Sequence, residues 1–357
     1  MIDYINSEGL ATAAADIKSR IGSGSASAGG LQIEKYVDEQ VNGCVSVSTL
    51  PYGFTRGCAL VLNNKIHILG GGSGHYKFNG SSWESVSNLP YSFYYGAAVV
   101  LNNEIHILGG DTNSGTIYRT KHYKFNGTSW ESVSTLPYEF YNGSAVVLNN
   151  EIHILGGSDH YTSHYKFNGS SWESVSTLPY GFSQGSAVVL NNEIHILSST
   201  YHYKFNGSSW ESVSNLPYSF YYGAAVVLNN EIHILGGGSS SYYTKYYKYN
   251  GSSWIEIRAL PYGFYQGSAV VLNNEIHILG GSGGSTGHYL VRLDNRHIAT
   301  MLPKGVHILL SDNEDIIYAS NAKRISSNIA EVTDTGYVEL LAALSDMNNI
   351  KGYLTFY

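Results

Sequence analysis

The residues of this chain best suited to binding recur as pairs behind one repeated motif. Pro-Tyr-x-Phe occurs six times, and the two residues that follow it differ from copy to copy. Tyrosine offers a flat amphipathic ring at low entropic cost, and amide, hydroxyl and guanidinium groups form adaptable hydrogen bonds, a combination typical of binding surfaces. We therefore expect these pairs to contact a ligand. They are Thr55 and Arg56, Tyr94 and Tyr95, Tyr141 and Asn142, Ser183 and Gln184, Tyr221 and Tyr222, and Tyr265 and Gln266.

A second set of candidate ligand-binding residues lies downstream of each pair, in segments that vary in length and content. Loops that vary on a near-identical frame are where proteins place recognition. Unconstrained drift is the alternative explanation, but drift would not favour tyrosine so strongly. The residues of this second set are Tyr118, Arg119, His160, Tyr161, Tyr201, Tyr242 and Tyr243.

Six histidines at one repeated position could suggest a metal site. Each alternates with isoleucine in the segment Ile-His-Ile-Leu, which is identical in all six copies. A ring of equivalent side chains indicates packing between repeats far more often than metal ligation. We therefore predict no metal and no cofactor. The histidines are His67, His106, His153, His195, His233 and His277.

Charged residues near the variable segments do not suggest catalysis. They are Arg56, Asp111, Arg119, Glu139 and Asp159, and the sequence scatters them over different repeats. A general acid and base must lie within reach of one substrate, and no such pair is indicated. The sequence predicts no catalytic residues and no enzymatic activity.

The elements that position these residues form one repeated unit. Leu-Pro-Tyr recurs six times at intervals of 38 to 47 residues. In the second unit, apolar strands at 97–101 and 104–108 are joined by Asn-Asn, which tolerates the positive φ of a type I′ hairpin. Strands at 122–125 and 130–133 follow, joined by Asn-Gly. Four short antiparallel strands in a unit of this length predict a β-propeller blade.

Strand alternation divides the connections between two faces. The Asn-Asn and Asn-Gly turns lie on one face. The other face, here named the loop face, carries the entry loop that leads into each unit (89–96 in the second) and the middle loop between its second and third strands (109–121). Both variable sets fall on these loops, so we expect one binding face.

The ring can close in two ways. Residues 44–51 form a lone fourth strand, and the last unit, 267–293, has three strands and lacks a fourth. The N-terminal strand could complete the last blade and remove an open edge. Alternatively, residues 296–300 form a degenerate fourth strand. We favour the N-terminal strand, because it matches the repeat better and closure needs only one.

The ends of the chain depart from the repeat. Residues 1–40 combine a helical spacing of apolar residues with a Gly/Ser/Ala linker, which predicts an attachment or oligomerisation segment. Residues 41–303 are assigned to the propeller, and 304–357 to a small C-terminal domain, β-rich or α+β. The predicted fold class is all-β, a six-bladed propeller with a short helical N-terminal segment and this C-terminal domain.

Composition excludes several classes of protein. A net charge of −7 without a run of lysine or arginine argues against nucleic acid binding. No apolar run is long enough to span a bilayer, and the layout of a signal peptide is missing. We expect that the protein does not insert into a membrane. We also expect that it is made in the cytoplasm and released by lysis. Cys44 and Cys58 take positions filled elsewhere by Trp and by Ala or Ser, which predicts small buried side chains.

The unit resembles the Kelch repeat over roughly residues 44–295. The resemblance rests on Gly-Gly after the second strand, an aromatic residue in the third and a Trp opening the fourth. The histidine of the second strand stands where many Kelch repeats have Tyr. The resemblance implies a six-bladed Kelch-like β-propeller.

The head of the chain, Tyr4–Leu10 followed by 16–21, is similar to the start of tail-fibre proteins of prophages from Gram-positive hosts. This similarity implies a phage tail-fibre or baseplate receptor-binding protein, located in the virion tail, whose loop face binds a host cell-surface glycan or protein. It also implies contacts with other tail or baseplate proteins through the N-terminal segment, and a homo-oligomer such as a trimer. A Kelch-type carbohydrate-active enzyme and an intracellular protein–protein interaction propeller are the alternatives.

Overall fold

The computed structural model describes residues 44–112, 118–238, 241–257, 259–281 and 285–291, together with seven strands between residues 295 and 355. The helical segment predicted over residues 1–40 lies outside the described residues. Every regular element of the described part is a β-strand. No helix there is long and apolar enough to cross a membrane.

Six four-stranded antiparallel sheets form a β-propeller, which confirms the predicted architecture. From the inside outwards, blade 1 is β2 (Cys58–Leu62), β3 (Lys65–Leu69), β4 (His75–Phe78) and β5 (Trp83–Ser85), blade 2 is β6 (Ala97–Leu101), β7 (Glu104–Leu108), β8 (His122–Phe125) and β9 (Trp130–Ser132), and blade 3 is β10 (Ser144–Leu148), β11 (Glu151–Leu155), β12 (His164–Phe167) and β13 (Trp172–Ser174). Blade 4 is β14 (Ser186–Leu190), β15 (Glu193–Ser198), β16 (Tyr201–Phe205) and β17 (Trp210–Ser212), blade 5 is β18 (Ala224–Leu228), β19 (Glu231–Leu235), β20 (Tyr246–Tyr249) and β21 (Trp254–Glu256), and blade 6 is β22 (Ser268–Leu272), β23 (Glu275–Leu279), β24 (Gly287–Val291) and β1 (Cys44–Thr49).

The innermost strands contact one another around the whole ring, with β2 next to β6 on one side and next to β22 on the other. Both residues of every Asn-Asn turn have a φ between 50° and 64°, as a type I′ hairpin requires. The propeller unit spans Val41–Arg292.

The N-terminal strand closes the ring. β1 pairs antiparallel with β24, from Cys44 opposite Val291 to Thr49 opposite Gly287. The competing candidate, residues 296–300, lies in β25 (Asn295–Leu302), which pairs with β30 (Gly336–Ala343) instead. The first and last parts of the repeat array therefore share blade 6, which leaves no blade incomplete.

The strands after the propeller form two further sheets. One has the order β25, β30, β27 (Ile316–Ala319), and the other the order β28 (Ala322–Ser326), β29 (Ile329–Val332), β26 (His307–Leu309), β31 (Leu354–Thr355). All pairings between these strands are antiparallel. The small C-terminal domain over 304–357 and the boundary at 303 stay predictions.

The apolar core lies between blades rather than within them. Each buried cluster combines residues of two neighbouring blades and of the entry loop that joins them. Phe140, for example, is 0 % exposed and packs with Leu108 of blade 2 and Ile154 of blade 3. Burial of a phenylalanine side chain contributes about 1.5–3 kcal/mol, so the repeated Pro-Tyr-x-Phe serves to join blades.

The repeated histidines form buried pairs inside each blade. His106 Nδ1 lies 2.8 Å from Nε2 of His122 in the third strand. Corresponding pairs, 2.8–2.9 Å apart, occur in every blade, with Tyr246 as the third-strand partner in blade 5. The repeat pattern predicts that the second-strand histidine packs between blades. The third-strand histidine does so: the His122 ring meets Phe167 and Trp172 of blade 3 edge to face, at 5.1 and 5.8 Å between ring centroids.

These pairs predict acid sensitivity. Burial lowers the pKa of the six second-strand histidines to about 4 and of the five third-strand histidines to about 3. The unfolded chain, with pKa values near 6.5, takes up these protons first as the pH falls. The free energy of unfolding should therefore be largest above pH 6.5 and decline towards pH 4. The slope is about 1.4 kcal/mol per pH unit for each histidine protonated only in the unfolded chain.

Urea unfolding followed by tryptophan fluorescence at pH 7, 6 and 5 measures this decline, in a range where most carboxylates remain ionised. A variant with His106→Gln and His122→Gln should show a smaller dependence on pH. An unfolding midpoint that is constant between pH 7 and 5 would contradict the prediction.

The contacts of Ser48 in β1 allow a prediction of how much closure of the ring contributes to the free energy of unfolding. Its Oγ accepts a hydrogen bond from Trp83 Nε1 of blade 1 at 3.0 Å and lies 2.8 Å from His288 Nδ1 of blade 6. Ser48→Ala leaves both nitrogens without this partner, so we expect a loss of about 1–3 kcal/mol in the free energy of unfolding. Ser46→Ala, at an exposed position of the same strand, is the control and should change it by less than about 0.5 kcal/mol. Equal effects in denaturant titrations would show that the Ser48 contacts do not stabilise closure.

Candidate binding site

Entry loops and middle loops meet on the loop face. Each entry loop lies between the middle loops of two neighbouring blades. The Phe140 N–H donates to the Arg119 carbonyl of blade 2 at 2.9 Å, and the Ser158 N–H of blade 3 donates to the Tyr141 carbonyl at 2.9 Å. Side chains from both variable sets therefore share one surface.

The second residue of each variable pair belongs to a closed ring of backbone hydrogen bonds, here named the mouth ring. Each N–H donates to the carbonyl of the preceding member at 2.7–2.8 Å, and the first member donates to the last. Every member has a φ of 56–60°, in the left-handed region that non-glycine residues seldom occupy. The members are Arg56, Tyr95, Asn142, Gln184, Tyr222 and Gln266.

The mouth ring narrows the central channel. Cα atoms joined through one hydrogen bond between strands lie about 5 Å apart, and the radius of a regular hexagon equals its side, so the six Cα atoms lie about 5 Å from the axis. A cavity of about 250 Å³ is lined by the ring members and the three residues after each of them. The first of these three is always glycine. A Cβ at Gly96 would overlap the ring of Phe93, which explains that glycine.

The first residue of five variable pairs is tied to the middle loops or to the mouth ring by its own backbone or hydroxyl, and in the sixth pair Tyr265 packs through its ring. The Tyr94 backbone exchanges hydrogen bonds with Asp111 at 2.6 and 3.2 Å, and the Ser183 carbonyl accepts from Ser198 Oγ at 2.9 Å. Thr55 Oγ1 donates to the Gln266 carbonyl at 3.4 Å. The two members of a pair thus have different places: one lines the mouth, and the other leads away from it. The outward members are Thr55, Tyr94, Tyr141, Ser183, Tyr221 and Tyr265.

One side of the mouth is aromatic. Tyr95 of blade 2 and Tyr222 of blade 5 lean over the opening from opposite blades, with ring centroids 6.1 Å apart. Tyr222 packs on Tyr265 at 5.1 Å, and Tyr265 stacks on Tyr242 of a middle loop at 4.7 Å. Burial raises the pKa of Tyr222 to about 12, with a smaller effect from the neighbouring Tyr95 and Tyr265. The Tyr222 hydroxyl therefore keeps its proton at neutral pH and can donate a hydrogen bond.

Arg56 and Gln266 complete the aromatic side. Arg56 Nε donates to Gln266 Oε1 at 3.1 Å, and Gln266 Nε2 donates to the Tyr95 hydroxyl at 3.3 Å. The Arg56 guanidinium lies 5.2 Å from the centroid of the Tyr95 ring. Arg56 is the one charged residue lining the cavity among the described residues, so the mouth is locally positive.

The other side of the mouth is polar and incompletely hydrogen-bonded. Asn142 Nδ2 donates to Ser158 Oγ at 3.2 Å. Within the described ranges, the buried Asn142 Oδ1 and Ser183 Oγ have no hydrogen-bond partner in the protein. Buried polar atoms normally find a partner in protein or water, so these two atoms can bond to water or to a ligand. Gln184 lies beside them on the same side of the mouth.

Arg119 forms ion pairs with two acidic residues, Asp111 and Glu139, that are far apart in the sequence. Its guanidinium lies 3.1 Å from Asp111 and 3.3 Å from Glu139, and 3.8 Å from the centroid of the Tyr141 ring. The Tyr141 hydroxyl donates to Asp159 Oδ2 at 3.1 Å. The expectation of dispersed charges is therefore wrong for these residues. Loops of two neighbouring blades converge here, and the only hint in the sequence was that Asp111 and Arg119 share one middle loop.

Residues of the middle loops divide into packed and exposed groups. Tyr118 stacks on Tyr91 at 4.7 Å, and His160 packs on Tyr138 at the same distance. Tyr243 meets Tyr218 edge to face at 5.6 Å. The repeated tyrosine of Leu-Pro-Tyr thus supports one variable residue in each of these blades. The exposed group consists of Tyr161, Tyr201 and Tyr242; Tyr201 belongs to it although its ring also packs on Tyr180 at 4.8 Å.

Two further groups that could carry chemistry are clusters of metal ligands and cysteine thiols. In the part of the chain that the structure describes, no three His, Cys, Asp or Glu residues are grouped as metal ligands. Cys58 is a free thiol. Burial raises the pKa of Cys58 to about 12, so this thiol stays protonated and weakly nucleophilic at neutral pH.

The Arg119 contacts predict a structural role for this cation. Arg119→Ala removes two partly exposed ion pairs, worth up to about 1 kcal/mol each, and a cation–π contact worth about 0.5–1 kcal/mol. We expect faster hydrogen exchange at the Phe140 and Ser158 amides, which hold the adjoining loops. Lys121→Ala is the control, because Lys121 is exposed and forms no ion pair within the described ranges. Unchanged exchange in Arg119→Ala would mean that the cluster does not order these loops.

Comparison with known proteins supports the fold alone. No protein-family model and no curated protein matches the chain. Among solved structures, the chain is similar to that of YjhT, with a TM-score of 0.61 and 15 % sequence identity, over 69 % of this chain and 95 % of YjhT. Identity at this level carries no statement about activity or ligand. The chain is a six-bladed β-propeller, an architecture used for binding and for catalysis.

Proposed function

We propose that this protein is the receptor-binding protein of a phage or phage-like tail, and that its loop face binds a host cell-surface glycan. The observation that carries the proposal is the distribution of variable residues. They gather on one face of a near-identical frame, around a mouth with an aromatic side and a side of amide groups, where Asn142 Oδ1 has no partner in the protein. Such a division suits a ligand that has both apolar faces and a rim of hydroxyls.

A sugar ring has these properties. Its apolar face can stack on a tyrosine ring, while its hydroxyls exchange hydrogen bonds with amides and with protonated tyrosine hydroxyls. Tyr222 supplies such a hydroxyl, and Asn142 Oδ1 supplies an acceptor without a partner in the protein. The locally positive Arg56 adds a fork of donors.

The rest of the assignment belongs to the same proposal. The repeat is of the Kelch type, and residues 1–40 join the protein to other tail or baseplate components of the virion. The protein acts there as a homo-oligomer such as a trimer, because several loop faces on one particle turn weak single contacts into high avidity. No catalytic step is part of this function.

One observation favours a second candidate, a carbohydrate-active enzyme. Asp111, Arg119 and Glu139 form a cluster of an arginine with carboxylates on the loop face, as an active site of this kind would need. Because Arg119 engages both carboxylates and the Tyr141 ring, neither carboxylate can act as an acid or a base without losing an ion pair, and binding is the better-supported function. Release of reducing sugar from a bound glycan, abolished by Glu139→Gln, would identify the enzyme instead.

Replacing tyrosines of the loop face should weaken attachment. We expect the combined change of Tyr95, Tyr161, Tyr222 and Tyr242 to alanine to lower binding to whole bacterial cells and to a glycan array by at least about tenfold. Each lost stacking contact is worth roughly 0.5–1.5 kcal/mol, and about 1.4 kcal/mol corresponds to tenfold.

The matched control is Val47→Ala with Ile255→Ala, which removes two exposed apolar side chains from the outermost strands of blades 6 and 5. Its binding should equal that of the unchanged protein. Cell binding that survives the four tyrosine changes would refute the loop face as the receptor site, and binding to cells stripped of glycan would point to a protein receptor.

A further inference from the structure

Exposed tyrosines occupy only one half of the loop face. The exposed fractions of Tyr161, Tyr201 and Tyr242 are 48 %, 44 % and 58 %. They belong to the middle loops, or to their edges, in three consecutive blades, 3, 4 and 5. We name this set the crescent.

The other half of the loop face lacks an equivalent set. The middle loops of blades 1 and 6 contain no tyrosine in the sequence. That of blade 2 has Tyr118, which is stacked on Tyr91 with an angle of 12° between the ring planes. The asymmetry therefore comes from the variable residues and not from the frame, which is the same in all six blades.

The crescent is held ready for binding. The Tyr161 carbonyl accepts a hydrogen bond from the Phe182 N–H at 2.8 Å. Tyr201 is the first residue of β16 and pairs with Ser198 of β15. Tyr242 stacks on Tyr265 at 4.7 Å. A fixed backbone reduces the entropy lost when an aromatic side chain takes up a ligand.

The surroundings of the crescent fit a glycan better than a protein. Protein interfaces have a contiguous apolar centre. Here the chain neighbours of each exposed tyrosine include small polar or charged residues: Asp159 and Thr162 near Tyr161, Thr200 next to Tyr201 and Ser241 next to Tyr242. Flat exposed rings interspersed along the chain with polar residues suit a chain of sugar units, which alternates apolar faces with hydroxyls.

The geometry of the blades sets the length of the ligand. Neighbouring strands lie about 4.8 Å apart, so a loop between the second and third strands lies roughly 12 Å from the axis when the first strand lies about 5 Å from it. In a six-fold ring the distance between neighbouring equivalent positions equals that radius. The crescent then spans roughly 20 Å from end to end, and a single sugar unit can reach only one of its tyrosines.

We propose that the crescent binds an extended glycan chain side-on, across blades 3 to 5, with Tyr161, Tyr201 and Tyr242 as successive stacking positions. This inference rests on the proposed function and adds to it the class of ligand, a polymeric chain recognised along its length rather than at a terminal unit. The contacts act together, so affinity depends on chain length.

The test uses the full chain and the cell-wall glycan of a bacterium to which it binds, hydrolysed and separated by chain length. Calorimetry should give an affinity that rises at least tenfold from single units to the longest fragments. Each of Tyr161→Ala, Tyr201→Ala and Tyr242→Ala should lower the affinity for long fragments by about three- to tenfold. The affinity for single units should fall in no more than one of these three variants.

The Val47→Ala and Ile255→Ala double variant is again the control and should bind all fragments as the unchanged protein does. Thermal unfolding checks that the three tyrosine variants fold. A second comparison is Tyr94→Ala with Tyr95→Ala in blade 2, for which a smaller loss is expected than for the three crescent changes combined.

Three outcomes would overturn the proposal: equal affinity for single units and long fragments, unchanged affinity in the triple crescent variant, or a larger loss in the blade 2 variant. In all three the unchanged protein still binds glycan, so the proposed function stands. If the unchanged protein binds cells but none of their glycan fragments, the proposed function itself fails.

Discussion

The seam between neighbouring blades is the interaction on which the rest of this structure depends. A four-stranded blade buries its apolar side chains only against the next blade, as the shared clusters show. The same contacts recur at five of the six seams, where a third-strand histidine meets a phenylalanine or tyrosine and a tryptophan of the following blade. Substitution at a seam position has to fit two blades at once. Variation is therefore tolerated where no seam passes, on the loop face.

Much of the frame could be predicted, because its strands and turns are specified by short patterns in the sequence. The strands at 97–101, 104–108 and 122–125 have the predicted bounds, and the fourth ends one residue earlier, at Ser132. The histidine pairs were not predicted. In register, His106 lies opposite Lys124, which places His122 diagonally across on the same side of the sheet, within reach of a ring. A middle loop of variable length hides that register from the sequence.

The candidate site was predictable as a face but not as an arrangement. The alternation of strands sufficed to place both variable sets together. Which member of a pair lines the mouth depends on the ring of backbone hydrogen bonds between blades, and this ring has no signature in side-chain types. Tyr95 and Tyr222 are far apart in the chain. They meet because they belong to blades 2 and 5, which lie opposite each other in a ring of six. The cluster around Arg119 likewise depends on loop conformations that no local rule predicts.

The mouth ring has a consequence for how this protein can change. Its six hydrogen bonds use only main-chain atoms, so arginine, tyrosine, asparagine and glutamine occupy equivalent places without altering the frame. The left-handed φ disfavours β-branched residues, and the donated N–H excludes proline, but most other side chains are admissible. Exchange of one repeat for another within the gene would therefore produce a different set of mouth residues in a molecule that still folds. The six positions of the mouth ring are therefore interchangeable, and recombination between repeats can change the side chains of the mouth without changing the fold.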